Sequence, residues 1–153
     1  MKLSQLFWVV AHLIVTFDWT SMTYTKHTER FTEERRYSSC ALLKDDKGAP
    51  LVAVAGGYRA PSSRGMEIWN PIDETVTTQI DVLPSDVGGG GLEDAYMVPI
   101  NEGREVLLYG GLAQTYSDEI WKFSLAENSW TKVGTMLYPR EQLIVLPVKG
   151  IQC

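Results

Sequence analysis

The stretch LLYGGLAQTYSDEIWKF, residues 107–123, decides how this chain is read. An apolar run stops at Gly110-Gly111, a polar loop follows, and a second run resumes at Trp121 and Phe123. Both runs have the length and the β-branched or aromatic content of strands. A double glycine lets the backbone leave a strand at positive φ, where other residues are strained. An earlier stretch, LVAVAGGYRAPSSRGMEIWNP at residues 51–71, carries the same signals in the same order.

Working outward, the two stretches are halves of longer similar units. Gly56-Gly57 and Gly110-Gly111 lie 54 residues apart, and Trp69 and Trp121 lie 52 apart, each closing an EIW triplet. Self-similarity at such a period is the signature of a repeat architecture. Each unit reads as four short strands. In the first, SSCALLK (38–44) leads through DDKGAP to LVAVA (51–55), then MEIW, then VTTQI. In the second, LEDAYMVPI (92–100) leads through NEGR to EVLLY (105–109), then DEIWKF, then SWTKV. Gly48 and Gly103 mark tight hairpin turns. No stretch shows a sustained 3.6-residue period, so the fold expected is all-β. Past the second unit, Arg140 precedes the strand-like LIVLPV, as Arg36 precedes YSSCALL. Upstream of the first, Trp19-Thr20-Ser21-Met22 parallels Trp130-Thr131-Lys132-Val133.

The totals narrow the class. With 153 residues, 44% hydrophobic and 22% charged, the composition is that of an ordinary globular chain rather than a disordered one. A net charge of −5 with scattered signs gives no basic patch for nucleic acid. Two cysteines make neither a disulfide framework nor a metal pattern, and Cys40 reads as a small buried residue. Lys2 followed by LFWVVAHLIV has the length of a signal peptide core, but His12 interrupts it and no A-x-A-like site follows. The run is too short to span a bilayer as a helix. Two readings stay open for residues 1–35: a signal-like segment, which would send the protein out of the cell, or the tail of a preceding unit in a cytoplasmic protein. TERFTEERR (28–36) alternates in sign and reads as an exposed connection.

Together the diglycine ending the second strand, the Trp in the third, the aromatic Trp130 opening the fourth and the period of roughly 50 residues resemble a kelch repeat array. The resemblance covers about residues 36–150. It divides the chain into an N-terminal segment (1–35), repeat one (36–85), repeat two (86–135) and the first strand of a further repeat (136–153). Val76 or Thr77 stands in repeat one where repeat two has Trp130, so the repeats are divergent. The resemblance implies a β-propeller of four-stranded antiparallel blades packed face to face. A lone blade cannot bury both faces, so each needs neighbours. Gly56, Gly57, Gly110 and Gly111 would then sit where blades crowd, and Trp69, Trp121 and Trp130 would pack between blades. At about 50 residues per blade, two blades do not close a ring. The chain therefore reads as a piece of a longer propeller, and its open blade faces make self-association a further option.

Function follows the same resemblance. Some related propellers are copper-dependent sugar oxidases of the galactose-oxidase kind, which need converging imidazole and phenolate ligands. Here only His12 and His27 occur, both outside the repeats and without a partner at ligand spacing. GGGG at 88–91 lacks the Lys-Ser/Thr ending of a phosphate loop, and the acidic residues beside it form no calcium loop. No cofactor and no catalytic residue is expected. The expectation is a non-enzymatic module whose rim loops hold a protein partner. Those loops carry Tyr58, Arg59 and Arg64 in one repeat and Gln114, Tyr116 and Ser117 in the other, with Leu137, Tyr138 and Arg140 between units. Tyrosine and arginine are residue types that dominate binding energy. The alternatives are a segment of a secreted or cell-surface propeller, or of an oxidase-like enzyme without its catalytic residues here.

Overall fold

The structure, a computed structural model, describes the backbone of residues 5–57, 65–79 and 92–142, and their side chains except at 5–11, 33, 78 and 79. Among the described residues ten strands carry the fold, all paired antiparallel. A long hairpin comes first, β1 (Gln5–Asp18) with β2 (Thr23–Arg35). Next, β3 (Ser39–Lys44), β4 (Pro50–Ala55), β5 (Met66–Asn70) and β6 (Thr75–Gln79) make the first four-stranded sheet in sequence order. A second such sheet holds β7 (Tyr96–Ile100), β8 (Glu105–Tyr109), β9 (Glu119–Ser124) and β10 (Ser129–Thr135), with a 3₁₀ turn at Asn101–Gly103. The fold is thus all-β, built on two antiparallel four-stranded sheets. No described helix is long and apolar enough to cross a membrane.

From β4 to Lys132 the two sheets match residue for residue at an offset of 54, and a bulge between Lys132 and Gly134 then adds one residue to β10. Val52 pairs with Trp69 and Trp69 with Val76 in the first. In the second, Val106 pairs with Phe123 and Phe123 with Trp130. The four-residue turn after each third strand ends on a residue at positive φ, Glu74 (51°) and Asn128 (51°). The hairpin follows the same plan, with Met22 at 56° and the pair Phe17–Tyr24 where the sheets have Trp69–Val76 and Phe123–Trp130.

This register corrects two alignments read from the letters. The EIW triplets at 67–69 and 119–121 do not correspond: Trp69 stands where Phe123 does, and Trp121 stands where Glu67 does. Likewise Trp19 lies in the turn, and Tyr24 is the residue equivalent to Trp130. Strand pairing from the diglycine end sets equivalence, not local identity. A two-residue slip keeps each side chain on its face, so Trp69 and Trp121 still face the same way.

Each layer has an upstream face toward the preceding layer and a downstream face toward the next. The hairpin packs Ile14 and Phe31 onto Val52, Val54 and Trp69 on the upstream face of the first sheet, with Val76 alongside. Ala41, Leu43, Ala53, Ala55, Met66 and Ile68 on the downstream face meet Met97, Val106, Leu108, Trp121 and Phe123 of the second sheet. Burying aromatic and branched side chains on both sides of the first sheet supplies the driving force for stacking.

Two further expectations are overturned. TERFTEERR is not an exposed connection, because residues 23–35 form β2 and both Phe31 and Arg35 are buried. Arg35 is held inside by the Glu67 carboxylate, which accepts its Nε–H at 3.2 Å. Cys40 is exposed rather than buried. Strict alternation in β3 turns Ser39, Ala41 and Leu43 inward and Cys40 and Leu42 to the upstream face. Among the described residues, the hairpin packs on that face against Val52, Val54, Trp69 and Val76 of β4 to β6. Neighbouring atoms still desolvate the sulfur enough to push the Cys40 thiol up.

Candidate interaction rim

The diglycine ends of the sheets build one rim through a repeated set of backbone hydrogen bonds. The Gly57 N–H donates to the Leu92 carbonyl at 2.8 Å, and the Gly111 N–H donates to the Arg140 carbonyl at 2.8 Å. Two residues after Leu92 and Arg140, Asp94 and Gln142 take positive φ (51° and 52°). Tyr37, two residues after Arg35, does the same at 56°. These three residues form a ladder: Asp94 N–H donates to Tyr37 O at 2.9 Å, and Gln142 N–H donates to Asp94 O at 3.0 Å. Arg35, Leu92 and Arg140 are therefore equivalent positions, each leading into a new layer. Arg140 corresponds to Arg35 and not to Arg36, one residue away from the parallel read in the letters.

The loop after the second diglycine folds onto this ladder. Gly111 O accepts the Ser117 N–H at 2.8 Å, and Ser117 O accepts the Arg140 N–H at 3.0 Å. Ser117 Oγ accepts the Glu119 N–H at 3.1 Å, and Met136 N–H donates to Asp118 O at 2.6 Å. Glu93 and Leu112 exchange a pair of backbone bonds at 2.8 Å. With its main-chain groups satisfied in this way, the loop holds its side chains outward at low entropic cost on binding.

Five of the expected partner-binding residues come together here. Gln114, Tyr116, Tyr138 and Arg140 are exposed, and Ser117 is half-buried. Tyr116 and Tyr138 keep 55% and 66% of their surface, and Leu137 between the units keeps 93%, so apolar area is open to a partner. Tyr58, Arg59 and Arg64, and the GGGG run at 88–91, lie outside the described residues. Ser117 is mainly an organiser of the loop through its backbone and hydroxyl.

Sequence reasoning missed Tyr37, which is 61% exposed on the same ladder. Its signal was its place before SSCALL, two residues past an arginine, the spot where Gln142 stands past Arg140. A tyrosine at positive φ is uncommon, so the position is over-determined by its surroundings. The remaining signature residues are structural in place. Trp69 lies in the cluster under the hairpin, while Trp121 and Trp130 lie between the two sheets. Gly56, Gly57, Gly110 and Gly111 all take positive φ.

Charge at the rim is mixed. Arg36 pairs with Glu34 at 3.6 Å, both exposed, while Glu93 and Asp94 are half-buried beside the exposed Arg140. Among the described residues no three His, Cys, Asp or Glu side chains gather as a metal would require. His12 Nε2 accepts an N–H of the Arg30 guanidinium at 3.0 Å, and His27 bonds Thr16 at 3.0 Å and stands edge-on to Trp69. At the opposite rim an open groove of about 230 Å³ lies between Lys44, Asp45, Asp46, Leu51, Arg104 and Leu125. Its volume falls below that of ordinary ligand pockets.

No protein-family model matches the chain, and no curated protein matches it.

Proposed function

We propose that the chain is part of a kelch-type β-propeller and acts as a non-enzymatic binding module, holding a protein partner at its diglycine rim. The observation that carries this reading is the rim itself: Tyr37 is exposed on the backbone ladder that links successive layers, and Tyr116, Leu137, Tyr138 and Arg140 are exposed in the segments on either side of Ser117–Arg140, whose backbone bond ties them to the second diglycine. Rigid aromatic side chains with an arginine beside them are the composition of binding hot spots. The kelch reading is supported by the stacked four-stranded sheets and by the recurrence of the diglycine hydrogen bond at Gly57 and Gly111.

Site-specific cross-linking tests it. A photoreactive residue in place of Tyr116 or Tyr138 is expected to capture a discrete protein in the native setting. The same group in place of Ile72, exposed in a turn at the far end of the strands, is expected to capture none. Equal capture at both ends would sink the reading.

A further inference from the structure

The groove of about 230 Å³ at the rim opposite the diglycines opens between the two sheets, and its residues fall into three chemical sets. Leu51 near the start of β4 and Leu125 just past β9 form an apolar floor, packed against the core between the sheets. Lys44 at the end of β3 and Arg104 just before β8 bring one cation from each sheet. Asp45 and Asp46, in the turn after β3, bring carboxylates to the same wall.

Main-chain contacts hold this arrangement in place. The Arg104 carbonyl accepts the Leu125 N–H at 3.2 Å, and the Arg104 N–H donates to Asn101 O at 3.1 Å. The 3₁₀ turn lies close against the end of β3, where a Cβ on Gly103 would stand 3.3 Å from the Lys44 nitrogen. Asp45 Oδ1 accepts the Lys47 N–H at 2.9 Å and the Ala49 N–H at 2.7 Å, which fixes its carboxylate. The charged ends stay open. Among the described residues no ion pair or hydrogen bond occupies Lys44 Nζ, the Arg104 guanidinium, the Asp46 carboxylate or Asp45 Oδ2.

A space below the size of ordinary ligand pockets suits a small molecule with few atoms. Open charges of both signs beside an apolar floor suit one that joins an anion, a cation and a short aliphatic chain. We propose that the groove binds a free aliphatic α-amino acid of the leucine type. Its carboxylate meets Arg104 and Lys44 in charge-assisted hydrogen bonds. Its ammonium meets Asp46 and Asp45 Oδ2, and its side chain lies on Leu51 and Leu125. A simple anion is disfavoured by the two carboxylates and a simple cation by Lys44 and Arg104, so the mixed charge selects the zwitterion. The walls are set before binding, but the ligand is small and the groove open, so the expected Kd is on the order of 1 mM. The site lies at the other end of the strands from the diglycine rim and stands whether or not that rim holds a protein.

Titration of the full chain with L-leucine, followed by heteronuclear NMR, tests the site. Saturable shifts are expected at the amides of Leu51, Arg104 and Leu125, and none at Tyr116 or Ser117. Leucinamide, which lacks the carboxylate, and isocaproate, which lacks the ammonium, are each expected to bind about tenfold more weakly, the loss of a charged hydrogen bond. Arg104→Gln is expected to weaken L-leucine about tenfold and to leave leucinamide unchanged, because only leucine carries the group that Arg104 meets. Circular dichroism checks that the variant keeps its strands, and Lys44→Gln takes its place if it does not. The absence of saturable shifts, or shifts spread over both rims, overturns the proposal. So does equal weakening of leucine and leucinamide by Arg104→Gln, which would make the arginine a shaping residue only. Binding of isocaproate as tight as that of leucine overturns it too, because the carboxylates would then select nothing.

Discussion

Replacing Arg35 with alanine is expected to lower the unfolding free energy by about 3–5 kcal/mol, the cost of stranding a buried charge. Glu67 is fully buried on β5, and Arg35 at the end of β2 is nearly so. One carboxylate oxygen accepts the Thr32 N–H at 2.6 Å and the Thr32 hydroxyl at 2.7 Å, and the other accepts Arg35 Nε–H at 3.2 Å. Arg35 Nη1 donates to Gly56 O at 2.9 Å. The group therefore clips the hairpin to the first sheet beside its diglycine. Glu67→Leu is expected to cost as much, because it leaves the guanidinium buried without its anion. Arg35→Leu with Glu67→Leu is expected to cost clearly less than the sum. Leu92 and Trp121 hold the equivalent positions in the second sheet, so the fold accepts an apolar pair there. What the double variant still loses is the partner of Thr32 and of Gly56 O, about 1–3 kcal/mol. Urea unfolding followed by circular dichroism, read as a double-mutant cycle, decides the matter. Additive effects, or single losses below about 1 kcal/mol, would mean that the pair is not the clip described.

That pair also shows where reading the letters stopped short. Strand existence was legible, because β-branched and aromatic runs bounded by Gly48, Gly103 and the diglycines leave little else to form. So were the two units and the turns that join their strands. Residues 28–36 were not, because a strand buried on one face by Phe31 and Arg35 looks like a solvated charge run until Glu67, more than thirty positions later, supplies the counter-charge. The EIW triplets misled for a different reason. Local identity carries no information on register, which is counted from the diglycine and the turn, and the true offset of the strands put Trp69 over Phe123. Cys40 failed because alternation says which residues share a face but not which part of that face a neighbour covers. At the rim, the loop tyrosines were visible as residue types. Tyr37 was not, because its exposure follows from a backbone ladder that only the stacked layers create.

Gly56→Ala is expected to be among the most damaging single changes, and Gly48→Ala a mild one, although both glycines have positive φ (70° and 80°). Left-handed backbone costs an alanine about 1–2 kcal/mol at either position. The surroundings separate them. A Cβ on Gly48 meets nothing within 4 Å, so that conformational cost is the whole effect. A Cβ on Gly56 would lie 2.3 Å from the Leu92 carbonyl oxygen, well inside contact distance. That oxygen cannot move aside freely, because it accepts the Gly57 N–H at 2.8 Å, and Leu92 is itself packed in the core between the sheets. Relieving the clash means parting the first sheet from the lead-in of the second. The expected loss for Gly56→Ala is therefore well above the 1–2 kcal/mol of Gly48→Ala, measured as the difference in urea midpoint at unchanged slope. Because Leu92 lies two residues before Asp94, the same strain is transmitted to the ladder of Tyr37, Asp94 and Gln142. Cross-linking at Tyr138 in a Gly56→Ala protein that remains folded should then fall, while in Gly48→Ala it should not. Equal stability of the two variants would mean that the close approach at the diglycine is not what holds successive layers together, and the rim would lose its structural basis with it.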